Sequence, residues 1–445
     1  MSSRSFNRKT TPGDRSNHCW SPFPKRSGKH GRNTTRLFTT GICRLNQLPF
    51  ILLIQSTKTP VMNTNLPTSS GRIRLDYIDA LRGIAALMVV VCHSLQVDAS
   101  LPLSETIQRT LETFKYGVQL FFVISALTIF YSLYSSDTST YNFFIRRFFR
   151  IAPLYFVAIV TYSLLYGADP KGMVINFLFL HGFSPQYINS IVPGGWSIGV
   201  EMVFYCLVPL LFRWVTDIRS SLYFFLGTVV LSFCLLYSYR KLVPSSPNLE
   251  SYMYFWLPSQ LPAFAIGVVV FFLNFRPIKN TTKFVFYPLC FFALLVMFAL
   301  ITDLRIFREH IIFAGASGLF IGLLRFNAFP GLVNSVTRLL GKISYSLYLS
   351  QYAAIFILQK TGIYSLVNSK VHGAAYLNIL INFLLLLVVT FALSYVLFYI
   401  LEQPFQKLGK KLLREKVPFI APPAPNEKVK VRFAFSKRSS VESDE

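Results

Sequence analysis

Apolar residues form long stretches through most of the chain, with polar residues confined to short intervals between them. Stretches long enough, or nearly long enough, to cross a bilayer lie at 78–96, 116–134, 148–166, 196–213, 221–239, 255–275, 284–302, 310–326, 343–359 and 376–400. A segment crossing lipid must satisfy its backbone groups internally, so the pattern predicts an all-α fold, a polytopic integral membrane helical bundle of about ten transmembrane helices. An even number of spans puts both termini on one side. A shorter apolar piece, MVINFLFLHG at 173–182, predicts an interfacial or re-entrant helix before PGGW opens the fourth span. No internal repeat is visible, which counts against a transporter, because many transporters are built from repeats.

The few ionisable residues inside these stretches carry the chemical information. In YIDALRGIAALMVVVCHSL, residues 77–95, Arg82 lies near one end and His93 near the other. At about 100° per residue the eleven positions between them come to roughly 1100°, about 20° past three full turns, so the two side chains share a face about 16 Å apart along the axis. Asp79, three residues before Arg82, is placed to pair with it, and Ala86 and Val89 lie on the stripe between. An arginine near a span end often serves only as an interfacial anchor. A histidine in hydrocarbon is different, because it needs a partner or a cavity to offset its desolvation.

Two further stretches stand out. In FFIRRFFRIAPLYF, residues 143–156, Arg147 and Arg150 are three apart on one helical face, and the planar guanidinium fork suits a bidentate grip on phosphate oxygens. Loops on the cytoplasmic side carry arginines routinely, so the pair alone does not exclude an anchor. In PGGWSIGVEMVFYCLVPLL, residues 193–211, Glu201 falls inside an apolar helix with Tyr205 one turn on. An intramembrane carboxylate is costly and is usually paired or functional.

Charge changes the picture only through its distribution. The chain is 53% hydrophobic and 14% charged, against about 25% charged in soluble domains. A net charge of +25 would suit nucleic acid, but residues 1–61 hold eleven Lys/Arg and residues 402–445 hold ten, so nearly half of the basic residues lie in the two tails. Basic tails beside spans read as cytoplasmic anchors on a lipid bilayer; no nucleic-acid partner is expected. Loop charges barely decide orientation, and the tails place both termini in the cytoplasm. The six cysteines form no CxxC pair and four lie in apolar stretches, so neither a disulfide framework nor a metal site is expected. Residues 1–71 read as a basic, disordered tail with a possible alternative start at Met62, residues 72–405 as the transmembrane domain, and residues 406–445 as a basic cytoplasmic tail.

Taken together, the ordered motifs resemble the acyltransferase 3 family of polytopic membrane O-acyltransferases over roughly residues 72–405. IDALRGIAALMVVVCHS matches its Arg-x10-His helix, GVQLFFVISALTIFYS its second span, and RRFFRIAPLY its Arg-x2-Arg motif. GGWSIGVEMVFYCLVPLL matches its Trp-Ser…Glu segment, and ISYSLYLS and EQPF match motifs near the end. The chain departs from the family pattern at Gln119, at Ser125–Ala126, at Met202, and at Ser350–Gln351, where Trp-His is common.

The resemblance implies transfer of an acyl group, usually acetyl from acetyl-CoA, to a hydroxyl of a carbohydrate or lipid-linked glycan precursor, in a plasma membrane such as the bacterial inner membrane. On that reading His93 acts as general base towards the acceptor hydroxyl. Glu201 holds the tautomer of His93 or positions the acceptor, Arg147 and Arg150 hold the phosphates of CoA, and Arg82 lies along the acyl arm or stabilises developing negative charge. The alternative from a different class is a proton-coupled exporter of glycans or small molecules with His93 and Glu201 as a relay.

Overall fold

A computed structural model describes residues 76–98, 100–135, 139–242, 247–275, 309–324, 331–370 and 375–413, all within one unit spanning residues 75–445. In chain order the helices are α1 (Asp76–Ser94), α2 (Glu105–Thr113), α3 (Gly117–Ser135), α4 (Thr140–Tyr166), α5 (Pro170–Phe177), α6 (Trp196–Trp214), α7 (Ile218–Leu242), α8 (Pro247–Phe255), α9 (Leu257–Phe275), α10 (Glu309–Leu324), α11 (Ser335–Lys342), α12 (Ser344–Thr361), α13 (Ile363–Lys370), α14 (Ala375–Leu397) and α15 (Gln403–Lys411). A π-helical turn, Phe398–Glu402, joins α14 to α15. No strand occurs among the described residues.

Seven helical segments are long and apolar enough to cross a bilayer, so the expected count of about ten is not reached among the described residues. Two of the three shortfalls have physical reasons. The α10 helix has only 16 residues, and α12, though long enough, carries Ser344, Ser346, Ser350, Gln351 and Lys360. The third expected span, 284–302, lies outside the described residues. So do the expected tails, apart from residues 406–413; the last helix runs through Lys411, past the boundary expected at 405.

Lipid tails are as apolar as leucine, so packing and polar contacts rather than hydrophobic collapse hold membrane helices together. Small residues accordingly stand at the crossings. A Cβ on Gly341 of α11 would lie 1.7 Å from the Asp79 carbonyl oxygen, and one on Gly83 of α1 would lie 2.6 Å from that of Thr337. That backbone-to-backbone approach, closed by an Arg338–Asp76 ion pair at 3.0 Å, fixes the end of α1 that bears Arg82. The α3 helix runs through the middle, with Val123, Ile124, Ala126 and Phe130 fully buried. Gly267 of α9 is its closest crossing, 2.3 Å from the Val123 carbonyl if a Cβ were added. Phe264 stacks on Phe122 at 4.5 Å and on Phe204 at 4.0 Å, tying α9 to α3 and α6. A second apolar cluster, including Val90, Leu347, Ala354 and Leu386, joins α1, α12 and α14. Polar contacts along it include Ser350 against Ser394 at 2.9 Å and Ser346 donating to Glu402 at 2.6 Å.

Candidate active site

The α4 helix begins at a cap, the Ser139 hydroxyl accepting from the Asn142 N–H at 3.2 Å. Arg147 and Arg150 follow on its second and third turns. Pro153 then removes one backbone donor inside the helix, which loosens the turn carrying these arginines. The Arg147 guanidinium sits over two rings, 5.7 Å from the centre of Phe143 and 5.4 Å from that of Tyr205. Cation–π contact holds a desolvated guanidinium without neutralising it.

The α6 helix is positioned by the turn before it. Gly194 adopts φ +78°, which a residue with a Cβ rarely takes. The Tyr348 hydroxyl donates to the Gly194 carbonyl at 2.9 Å and accepts from Ser197 Oγ at 2.9 Å. On the other side a fully buried His181 places Nε2 3.1 Å from the Gly195 carbonyl. The expected helix at 173–182 appears as the short α5 followed by a tight turn at His181–Phe183. Asp169 caps α5 and accepts from the Tyr187 hydroxyl at 2.8 Å, a bond that, with the capping N–H groups, holds its carboxyl below the ordinary range.

With α6 so fixed, Glu201 faces α3. Its Oε1 accepts from Ser125 at 2.6 Å and from Tyr205 at 2.5 Å. Arg82 reaches the same space from α1, 3.9 Å from the Asp79 carboxylate and 3.4 Å from Thr128 Oγ1, so the expected Asp79–Arg82 pair is present. Arg82, Arg147, Arg150 and Glu201 thus line one partly open cleft, together with Ser125, Ser197, Tyr205, Tyr345 and Tyr348. Three guanidiniums against one carboxylate leave this cleft positively charged, suited to an anionic ligand.

His93 is not on that cleft. Its Nδ1 lies 2.6 Å from Oε1 of Gln351, and its Nε2 lies 3.4 Å from the Tyr352 hydroxyl, whose ring packs on the imidazole at 4.7 Å. No hydrogen bond joins Glu201 to His93 among the described residues. The expectation that Glu201 holds the tautomer of His93 is therefore corrected: Gln351 of α12 stands in that position, while Glu201 is held against Ser125 of α3. The two places are nonetheless linked by α12. Tyr345 and Tyr348 line the cleft, and Gln351, one turn on and about 4.5 Å farther along the axis, holds His93.

Spacing alone did not reveal Ser125, Gln351, Tyr352, Tyr348 or His181. Gln351 and Ser125 had a signal, since both fall where the chain departs from the family pattern or adjoins a departure. Tyr352 adjoins the same departure, Tyr348 lies in ISYSLYLS and His181 in MVINFLFLHG, but nothing in those stretches marked them as partners of the site.

A cleft lined by three arginines and one glutamate thus lies in a helical bundle with seven segments long and apolar enough to cross a bilayer, which defines a membrane protein. The chain belongs to the acyltransferase 3 family: that family's profile, described as an acyltransferase domain, matches residues 75–399, which include Arg82, His93, Arg147, Arg150 and Glu201. It is also similar to the acyltransferase MdmB of Streptomyces mycarofaciens, at 26% identity over 223 residues, 44% of this chain and 57% of that protein. The matched part thus spans little more than half of that relative's length. No solved structure matches the chain.

Proposed function

We propose that the protein transfers an acyl group, acetyl above all, from acyl-CoA to a hydroxyl of a carbohydrate or lipid-linked glycan precursor, as a plasma-membrane enzyme with both termini in the cytoplasm. The observation that carries this reading is the convergence of Arg82, Arg147 and Arg150 on one cleft, from which α12 leads in one turn to His93. Arg147 and Arg150 lie near the basic C-terminal segment and hold the donor's pyrophosphate from the cytoplasmic side. Arg82 lies along the acyl arm.

The acceptor hydroxyl approaches from the side of His93. As its oxygen attacks the thioester carbonyl, Nε2 of a neutral imidazole takes its proton; the tetrahedral oxyanion collapses, the C–S bond breaks, and the thiolate of CoA leaves with that proton. Gln351 Oε1 accepts from Nδ1–H, which leaves the Nε2 lone pair for the acceptor. Glu201, bracketed by Ser125 and Tyr205, orients the acceptor from the cleft side.

The test is transfer by the purified protein in lipid nanodiscs, with labelled acetyl-CoA and lipid-linked glycan precursors, read by mass. Acetyl-CoA binding and a mass gain of one acetyl group on a precursor are expected. A protein that neither binds nor turns over acetyl-CoA, but moves glycan across the nanodisc's equivalent in sealed vesicles, would be the exporter instead.

A further inference from the structure

A second, partly open cleft lies beside the first and shares Arg147 and Arg150 with it. Its remaining polar lining comes from Arg146 of α4, Ser132 of α3, and Gln406 and Lys410 of α15; four of its lining residues are cations and none is an acid. Cations that serve only as interfacial anchors turn outward to headgroups, whereas these line a recess that shares two arginines with the first cleft.

The α15 helix is built to stay there. A Cβ on Gly409 would lie 2.6 Å from Phe149 Cβ, so α15 lies directly on α4. Gln406 donates to Glu402 Oε1 at 3.0 Å, and Glu402 is itself buried against Ser346. This anchoring places Lys410 on the lining of the recess together with Arg146.

We propose that this second cleft is a phosphomonoester site, in which Arg146 and Lys410 take the 3′-phosphate of the donor's nucleotide. The inference rests on the acyl-CoA reading above. Coenzyme A carries a pyrophosphate in mid-chain and a phosphomonoester, of charge about −2, on its ribose. With the pyrophosphate on Arg147 and Arg150, the shared wall of the two clefts, the acyl arm enters the first and the nucleotide the second. The C-terminal helix then acts as the reader of the phosphate that distinguishes coenzyme A from other thioester carriers.

The experiment compares binding of acetyl-CoA and 3′-dephospho-acetyl-CoA by the full-length protein in nanodiscs of zwitterionic lipid. Acetyl-CoA should bind about tenfold to a hundredfold more tightly, the contribution of one or two charge-assisted bonds. Lys410→Ala should bring that ratio towards one by weakening acetyl-CoA, and Lys410→Arg should keep it. Lys410 is exposed, so neither change threatens folding. Equal binding of the two donors by the native protein, or a ratio unchanged in Lys410→Ala, would overturn the phosphomonoester site while leaving the donor reading intact. Failure to bind either donor would instead remove the donor reading itself. If the two donors bind equally and anionic lipid added to the nanodisc lowers the affinity for both, the recess is a headgroup site, and the proposal is wrong.

Discussion

Gln351 is fully buried and holds its side-chain oxygen 2.6 Å from Nδ1 of His93. Among the described residues the amide nitrogen of Gln351 has no hydrogen-bond partner. A neutral acceptor at this place orients the ring and selects the tautomer, but adds no negative charge to stabilise an imidazolium. That separates it from a carboxylate partner, which would do both.

His93→Ala should leave the protein in the membrane and able to bind acetyl-CoA, yet lower acyl transfer roughly 10²–10⁴-fold, the usual range for a general base. The native rate should rise with pH, because a protonated imidazole cannot accept the hydroxyl proton, and the rise should vanish in the variant. His93→Gln keeps hydrogen bonding without a titratable site and separates structure from catalysis. Normal transfer by the Gln variant would return His93 to a structural role.

The Gln351 contact makes a separate prediction. Gln351→Leu should lower kcat by up to about a hundredfold with little change in the KM for acetyl-CoA, since a misaimed base affects the chemical step rather than donor binding. Gln351→Glu places a carboxylate beside the imidazole and favours its charged form, so the rise of rate with pH should move upward by at least about one pH unit. A residue that merely packs would change stability and leave the pH profile where it was, and that result would reject the positioning role.

The hydropathy pattern located the segments well and their ends less well. The expected span 148–166 begins at Thr140 in the structure, because the first turns of α4 carry Asn142 and three arginines and fall below any apolar threshold. The polar α12 shows the opposite effect: it was legible as a span by position, yet its serines, Gln351 and Lys360 keep it from reading as one. The shared face of Arg82 and His93 followed from helical period alone. Their separation into a cleft residue and a seam residue did not, because it depends on α12, whose Gln351 is 258 positions from His93. Convergence of Arg82, Arg147, Arg150 and Glu201 likewise depends on how α1, α4 and α6 pack, which no spacing within one helix reports.

The crossing of α1 and α11 predicts a steep penalty for bulk. Gly341→Ala would set a methyl 1.7 Å from the Asp79 carbonyl oxygen, and backbone on both sides leaves nothing flexible to give way. The cost should exceed the roughly 1–3 kcal/mol of ordinary overpacking. A sharp fall in the monodisperse fraction after detergent extraction is expected, whereas Gly315→Ala, with nothing within 4 Å of its added Cβ, should extract like the native protein. Equal recovery of the two variants would contradict the close crossing that fixes Arg82.

Glu201 separates charge from shape. Among the described residues both of its hydrogen bonds, from Ser125 and Tyr205, end on Oε1. Glu201→Gln can therefore keep both bonds on its amide oxygen while replacing the one acidic side chain among the described residues lining the cleft. Donor binding should be no weaker, because a carboxylate no longer opposes the phosphates, yet kcat/KM for the acceptor should fall about tenfold or more, about 1.4 kcal/mol of lost transition-state binding. Tyr205→Phe removes one neutral donor and part of the bracket, and should cost only about 0.5–1.5 kcal/mol on the same measure. If Glu201→Gln transfers at the native rate while Tyr205→Phe does not, the carboxylate is only a bracket for the tyrosine. If instead Glu201→Gln lowers acetyl-CoA affinity, its charge acts by holding Arg147 between the Phe143 and Tyr205 rings, and its place is with the donor rather than the acceptor.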